Sequence, residues 1–176
     1  MTPDLRYPIG RFETVTPGSS TITDRASHIA NIAALPANLR AAVHGLSDAQ
    51  LDTPYRPGGW TVRQLVHHVA DSHANAYCRI KLALTEENPT IKPYDEERWA
   101  MLPDATLPIE VSLVMLEAIH ERWVTLLEAL EPAQYHRLFT HPEAGGHDVD
   151  WLLALYDWHG RHHTAHLTAL RTREGF

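Results

Sequence analysis

Apolar positions recur at helical spacing over four long stretches of this chain. From Thr61 to about Leu84 they are Val62, Leu65, Val66, Val69, Ala76, Tyr77, Ile80 and Leu84. From about Ile109 to Leu130 the stripe is Leu113, Leu116, Trp123, Leu127 and Leu130. A last helix is expected from about Val149 to Arg171, with Asp148 and Asp150 suiting its N-terminal dipole and Arg171 and Arg173 its C-terminal one. The earliest stretch starts at Thr23-Asp24, a candidate N-cap, and runs to about Leu35. Pro36 interrupts it before the pattern resumes as PANLRAAVHGL up to Gly45, which reads as a kink or as a helix restarting on proline.

The segments between these stretches are polar and rich in helix breakers. SDAQLD reads as a turn, and Pro54, Pro57, Gly58 and Gly59 forbid helix in TPYRPGGW. TEENPTIKPYDEERWAMLPDATLP reads as loop with one short helix around Glu96–Met101, and EPAQYHRLFTHPEAGGHD reads as irregular. No strand-like alternation persists long enough to predict a sheet. The expectation is an all-α four-helix bundle with long connecting loops, one domain over residues 1–176. Residues 1–22, punctuated by Pro3, Pro8 and Pro17, read as an arm that wraps the domain or reaches a second subunit.

Composition narrows the function classes. The chain has 176 residues with 15 Lys+Arg against 22 Asp+Glu, a net charge of −7 that argues against nucleic acid as a partner. With 44% hydrophobic and 21% charged residues it reads as a globular protein, and no apolar run reaches the roughly 18 residues a membrane span needs. The N-terminus lacks the basic-then-apolar layout of a signal peptide, so a cytoplasmic location is expected. A single cysteine, Cys78, rules out an internal disulfide framework and any multi-cysteine metal site. Thirteen histidines are the outlier, and four of them crowd the last helix.

That helix reads DWLLALYDWHGRHHTAHLTALR. Leu152, Leu155, Tyr156, His159, His163, His166 and Leu170 fall within one stripe about 100° wide. His159 and His163 lie near its centre, and their i, i+4 spacing stacks two imidazoles on one face. Two such rings can reach one divalent cation at about 2.0–2.1 Å. A pair of hydrogen-bonded core histidines would share the spacing. His162 and His166 form a second pair toward the edge, with His166 suited to a supporting or core role and His162 to the margin.

A third ligand has to come from a facing helix, and Thr61–Leu84 offers His67, His68 and His73. Periodicity prefers His73, at the centre of the apolar stripe. His68 lies on a flank where Ser72, Asn75 and Arg79 cluster within about 60°, either a solvated edge or the wall of a polar pocket.

The blocks GGWTVRQ and WHGRHHTAH, with YPIGRF near the start and LYDWHGRHHTAHL near the end, resemble the YfiT-type proteins of the DinB-like superfamily. The resemblance spans nearly the whole chain. It implies one divalent metal per subunit, Zn2+ or Ni2+, held by three histidines. In the superfamily the first ligand follows a Trp by eight residues and precedes an apolar-Ala-Asp string. Trp60 followed by His68-Val69-Ala70-Asp71 matches, and the other two ligands carry over onto His159 and His163. The resemblance thus assigns His68, and leaves His73 a core or supporting role. It also implies a homodimer, with the arm before Thr23 a candidate for crossing between subunits.

Three protein ligands leave zinc a fourth position, the arrangement of catalytic rather than structural sites. Such a cation can lower the pKa of water to about 7 or hold a thiol as its nucleophilic thiolate. Family members have been described both as metal-dependent hydrolases and as S-transferases that attach bacillithiol to electrophiles. The last helix carries no acid between His159 and His163 and the chain has no HExxH, which favours a transferase taking a small-molecule thiol and an electrophile. A loop acid such as Asp95 or Glu96 would restore the hydrolase. Arg79, with Asn75 and Ser72 beside it, is the candidate substrate-binding group, and Arg56, Arg63 and Lys92 are alternatives for an anionic thiol. Cys78, on the exposed side of its helix, is a poor nucleophile candidate. A non-enzymatic metal-binding module is the remaining class.

Overall fold

The computed structural model describes residues 4–16 and 18–176; Met1 to Pro3 and Pro17, part of the proposed arm, lie outside the described residues. Four long helices form the bundle: α1 (Ile22–Val43), α3 (Val62–Thr85), α5 (Glu110–Glu128) and α6 (Val149–Glu174). Two one-turn helices, α2 (Asp48–Leu51) and α4 (Glu96–Trp99), sit in the connections. Each of α1 and α3 packs against both α5 and α6, so α1 and α3 stand diagonally across the bundle.

The helix starts follow from capping chemistry. Thr61 accepts from the backbone N–H of Gln64 while Gln64 accepts from that of Thr61, a reciprocal box that opens α3 where the sequence placed it. On α1 the cap is Thr21 with Asp24 as its partner, two residues before the expected Thr23. Pro36 does not break α1, which continues through it with the proline ring buried. A helix carbonyl normally accepts from the N–H four residues on, and Pro36 has none to give Ile32. The Ile32 carbonyl instead accepts from the ring Nδ1 of His120 on α5, at 2.7 Å.

Two connecting segments, one read as a turn and one as irregular, are ordered further. SDAQLD forms α2, with Ser47 and Gln50 in a capping box. EPAQYHRLFTHPEAGGHD contains a 3-10 turn and a hairpin, β1 (Leu138–His141) with β2 (Gly145–Asp148), which corrects the expectation of no strands. Four residues per strand are too few for alternation to show. The hairpin is held by Phe139, which is buried, and by main-chain bonds from Thr140 and Ile91 that tie it to the segment after α3.

The arm lies along α6 of its own chain. Trp151 donates to Thr14 and Trp158 to the Gly10 carbonyl, while Phe12 sits about 6 Å from both indoles. Close approach of α1 to α6 is set at Gly160, where an added Cβ would meet the buried Leu35 side chain at 2.7 Å.

The core divides into two apolar clusters. One is built on Leu39, Leu65, Val66, Val69, Leu116 and Leu167; the other on Ile80, Trp123, Leu127, Phe139, Leu152 and Leu153. On α3 the first cluster ends at Ala70 and the second begins at Ala76; on α5 the break falls between Leu116 and Trp123, and on α6 between Tyr156 and Leu167. Those breaks hold His73, His120, His159 and His163. A layer of histidines crosses the middle of the bundle.

Candidate metal centre

At the edge of that layer His68 joins His159 and His163, and each of the three brings a ring nitrogen within 4.8 Å of the others. The Nε2 atoms of His159 and His163 stand 3.1 Å apart. Two nitrogens bound tetrahedrally at 2.0–2.1 Å would be about 3.3 Å apart, so the pair is spaced for one cation. The His68 ring centre lies 5.5 Å from that of His159 and 5.0 Å from that of His163, with the Trp60 indole packed on its other side at 4.6 Å. Periodicity had set His68 on a flank of α3. It is buried all the same, because α3 packs against α5, α6 and the 3-10 turn before α5, which leaves it no single inward face.

The neighbouring histidines are accounted for by other partners. His67 has its Nδ1 at 2.6 Å from the Ser112 hydroxyl and donates from Nε2 to the Leu107 carbonyl, on the far side from the cluster. His73 is completely buried, with Nε2 at 3.2 Å from Nδ1 of His159 and Nδ1 at 3.0 Å from Nε2 of His120. His162, expected at the margin, is buried: it stacks on Trp158 at 4.4 Å and pairs with His166. Its margin position on the wheel is covered by Trp158 and by Tyr7 of the arm.

Burial makes these rings poor proton acceptors. It pushes His68 down to about 4, and holds His159 and His163 well below the usual imidazole value, with the adjacent imidazoles adding to the effect. Neutral imidazoles with free lone pairs are what a divalent cation requires. His163 also buries its Nδ1 without a partner, while its Nε2 faces the cluster.

A cleft of about 370 Å³ opens onto the three rings. Its walls include Trp60, Ser72, Arg79, Tyr94, Glu96, Tyr156 and Trp158. The Ser72 hydroxyl lies 3.2 Å from that of Tyr156, whose phenol is held protonated by burial. Arg79 donates one N–H to the Lys92 carbonyl and buries its Nε with no partner. Asn75 does not line the cleft: its amide donates to the Asp71 carbonyl of its own helix. Arg63 is tied to Asp48 and Asp52, and the exposed Cys78 is no part of the cleft.

His120, His141 and Glu143 were not found by sequence reasoning. His141 and Glu143 belong to the hairpin and line the cleft, a placement no local pattern announces. His120 had a signal, because it continues the α5 stripe between Leu116 and Trp123. A second group, His136, Asp148 and Asp150, also clusters within 4.8 Å. Its carboxylates have other work: Asp150 receives a bidentate Arg25 at 2.8 and 2.6 Å, and Asp148 caps α6 through the Trp151 N–H.

A four-helix bundle in which three histidines, two of them buried and one partly so, converge beside a cleft is the architecture of a metal-binding protein. Residues 31–167 match the DinB superfamily. The chain belongs to that family. A protein of Bacillus mycoides (strain KBAB4) named "putative metal-dependent hydrolase" is 58% identical over 170 residues, covering 97% of each chain. A similarly named protein of Bacillus cereus (strain 03BB102) matches over the same length and at the same identity. Among solved structures, YfiT from Bacillus subtilis, described as "a probable metal-dependent hydrolase with an unusual four-helix bundle topology", superimposes with a TM-score of 0.93 at 45% identity over 98% of each chain. The four-helix bundle protein TT2238 shares the fold alone, with a TM-score of 0.54 at 21% identity over 84% of this chain and 98% of its own. The expected fold and family both hold.

Proposed function

We propose that this chain is a metal-dependent enzyme whose single divalent cation, zinc or nickel, is held by His68, His159 and His163. The observation that carries the reading is the convergence of three neutral ring nitrogens at the floor of a cleft. A cation there, with a coordination position left over, supplies Lewis acidity to a water or a thiol.

The finer reading is a thiol S-transferase, joining the sulfur of a small thiol to an electrophilic carbon with loss of the thiol proton and the leaving group. Its support is Arg79, which lines the same cleft, buries its Nε without a partner, and has a guanidinium suited to a carboxylate on an anionic thiol. Ser72 and Tyr156 offer neutral hydroxyls beside it, while Trp60 and Trp158 wall the cleft against water. Asn75 contributes only by fixing its own helix. A hydrolase is the second reading. It is favoured by the names of the relatives and by Glu96 and Glu143, carboxylates on the cleft rim able to take a proton. A cytoplasmic homodimer completes the proposal; no helix among the described residues is long and apolar enough to cross a membrane.

The deciding experiment presents metal-loaded protein with a panel of small thiols and chlorodinitrobenzene, and in parallel with ester and amide substrates. Saturable, metal-dependent conjugation favouring a carboxylate-bearing thiol is expected. Metal-dependent hydrolysis with no thiol dependence would overturn the transferase in favour of the hydrolase.

A further inference from the structure

The three rings His159, His73 and His120 form a line that leaves the cluster, crosses the bundle and stops at the backbone of α1. The links are 3.2 Å from His159 Nδ1 to His73 Nε2, 3.0 Å from His73 Nδ1 to His120 Nε2, and 2.7 Å from His120 Nδ1 to the Ile32 carbonyl. The last partner is the only one in the series that can act in a single role. A carbonyl oxygen accepts and never donates.

We infer that the Ile32 carbonyl, left without a helical partner by Pro36, fixes the tautomer of His159 through His120 and His73. The derivation runs outward from α1. His120 must carry its proton on Nδ1 to donate to Ile32, so its Nε2 is an acceptor. His73 must then donate from Nδ1, which leaves its Nε2 as an acceptor. His159 must donate from Nδ1, which leaves Nε2 bare. That Nε2 is the atom 3.1 Å from His163 Nε2, facing the cluster. Every ring in the line is neutral, holds one proton and has both nitrogens satisfied or aimed at the cluster.

The arrangement orients one ligand before any cation arrives and removes the need to move a proton off the ligating atom. Hydrogen bonds behind a metal-bound imidazole raise its basicity and fix its plane. Here the support is a chain of two further histidines ending on a main-chain oxygen, and both lie in the break between the two apolar clusters. A chain with no Ile32 carbonyl at its end would lose its direction. His73 could then hold its proton on Nε2 and donate to His159 Nδ1, which drives the His159 proton onto the atom that faces the cluster.

The consequence for metal rests on His159 being a ligand; the tautomers do not. The test therefore begins with metal-free wild-type protein, whose long-range 15N–1H spectra report which ring nitrogen is protonated. Nδ1–H forms are expected for His120, His73 and His159, whereas a proton on Nε2 of His73 or His159 would overturn the inference. The second arm measures Zn2+ affinity by competition with a chromophoric chelator. His120→Phe should bind about 10–100-fold more weakly. His120→Gln, whose amide can donate to Ile32 and accept from His73, should recover most of that loss. Equal affinity in wild type, His120→Phe and His120→Gln would overturn the role assigned to the line. If the wild type shows the Nδ1–H pattern and takes up no metal, the line stands and the metal reading falls.

Discussion

The last helix carries two histidine pairs of identical spacing. His159 with His163 and His162 with His166 are each i, i+4, and each places two Nε2 atoms 3.1 Å apart. Their surroundings differ completely. The first pair meets His68 from α3 and has His73 behind it. The second meets aromatic rings: Trp158 stacks on His162, Tyr55 lies 4.4 Å from His166, and Tyr7 lies 6.2 Å from His162. No third ligand joins His162 and His166 among the described residues. Spacing on one helix makes a pair; what the facing helix brings decides whether the pair can be a site.

The largest expected effect separates the pairs directly. His163→Ala should reduce bound metal from about one equivalent per subunit to below about a tenth, since two remaining nitrogens leave half a tetrahedral shell to solvent. His162→Ala should keep its metal, and elemental analysis of the purified variants reads the difference. The same contrast is expected between His68→Ala and His67→Ala, because both nitrogens of His67 are already bonded elsewhere.

Acid should act on both pairs together. Burial pushes His162 down to about 4 and His166 to about 3, holds His159 and His163 well below the usual imidazole value, and pushes His68 and His120 beside them down to about 4, against a reference of about 6.5 in the unfolded chain. Between those values the unfolded state binds more protons, so stability is fully present above about pH 6.5 and falls as the pH drops toward 4. Each such ring can contribute up to about 1.4 kcal/mol per pH unit in that window. Asp71, pushed up to about 6 mainly by burial, opposes this as a single group. Metal-free protein followed by circular dichroism should unfold cooperatively within the window. Stability unchanged at pH 4.5 would contradict the buried, neutral state of both pairs.

Smaller effects sharpen the comparison. Gly160→Ala should cost about 1–3 kcal/mol of stability by urea titration, because the new methyl on the helix that carries both pairs meets the buried Leu35 of α1. Arg79→Ala should raise the apparent KM for a carboxylate-bearing thiol more than it lowers kcat, as expected where an anchor binds ground and transition states alike. An unchanged KM would return Arg79 to the support of the Lys92 segment alone.

The sequence made the helical framework legible because three of the four long helices start on a side-chain cap and α5, which has none, carries a clear apolar stripe from Leu113 to Leu127. It also made the His159–His163 pair legible, since i, i+4 is a local relation. Periodicity alone favoured His73 over His68, and only the resemblance of the Trp60–Asp71 stretch pointed to His68. The reason is that α3 is enclosed on several sides, so distance from the centre of one stripe does not measure exposure. The hairpin was hidden by its length, and with it His141 and Glu143. Pro36 was visible as a break in hydrogen bonding. Where the freed carbonyl went depended on α5 and could not be read along the chain.

X-ray absorption at the metal edge of the protein loaded with one equivalent of Zn2+ addresses the three-histidine centre most directly. The account predicts about three imidazole nitrogens at about 2.0–2.1 Å, a signal largely lost in His163→Ala, whose zinc stays in solution, and kept at three in His162→Ala. An oxygen-dominated shell without imidazole scattering, or an imidazole count that falls in His162→Ala instead, would contradict it.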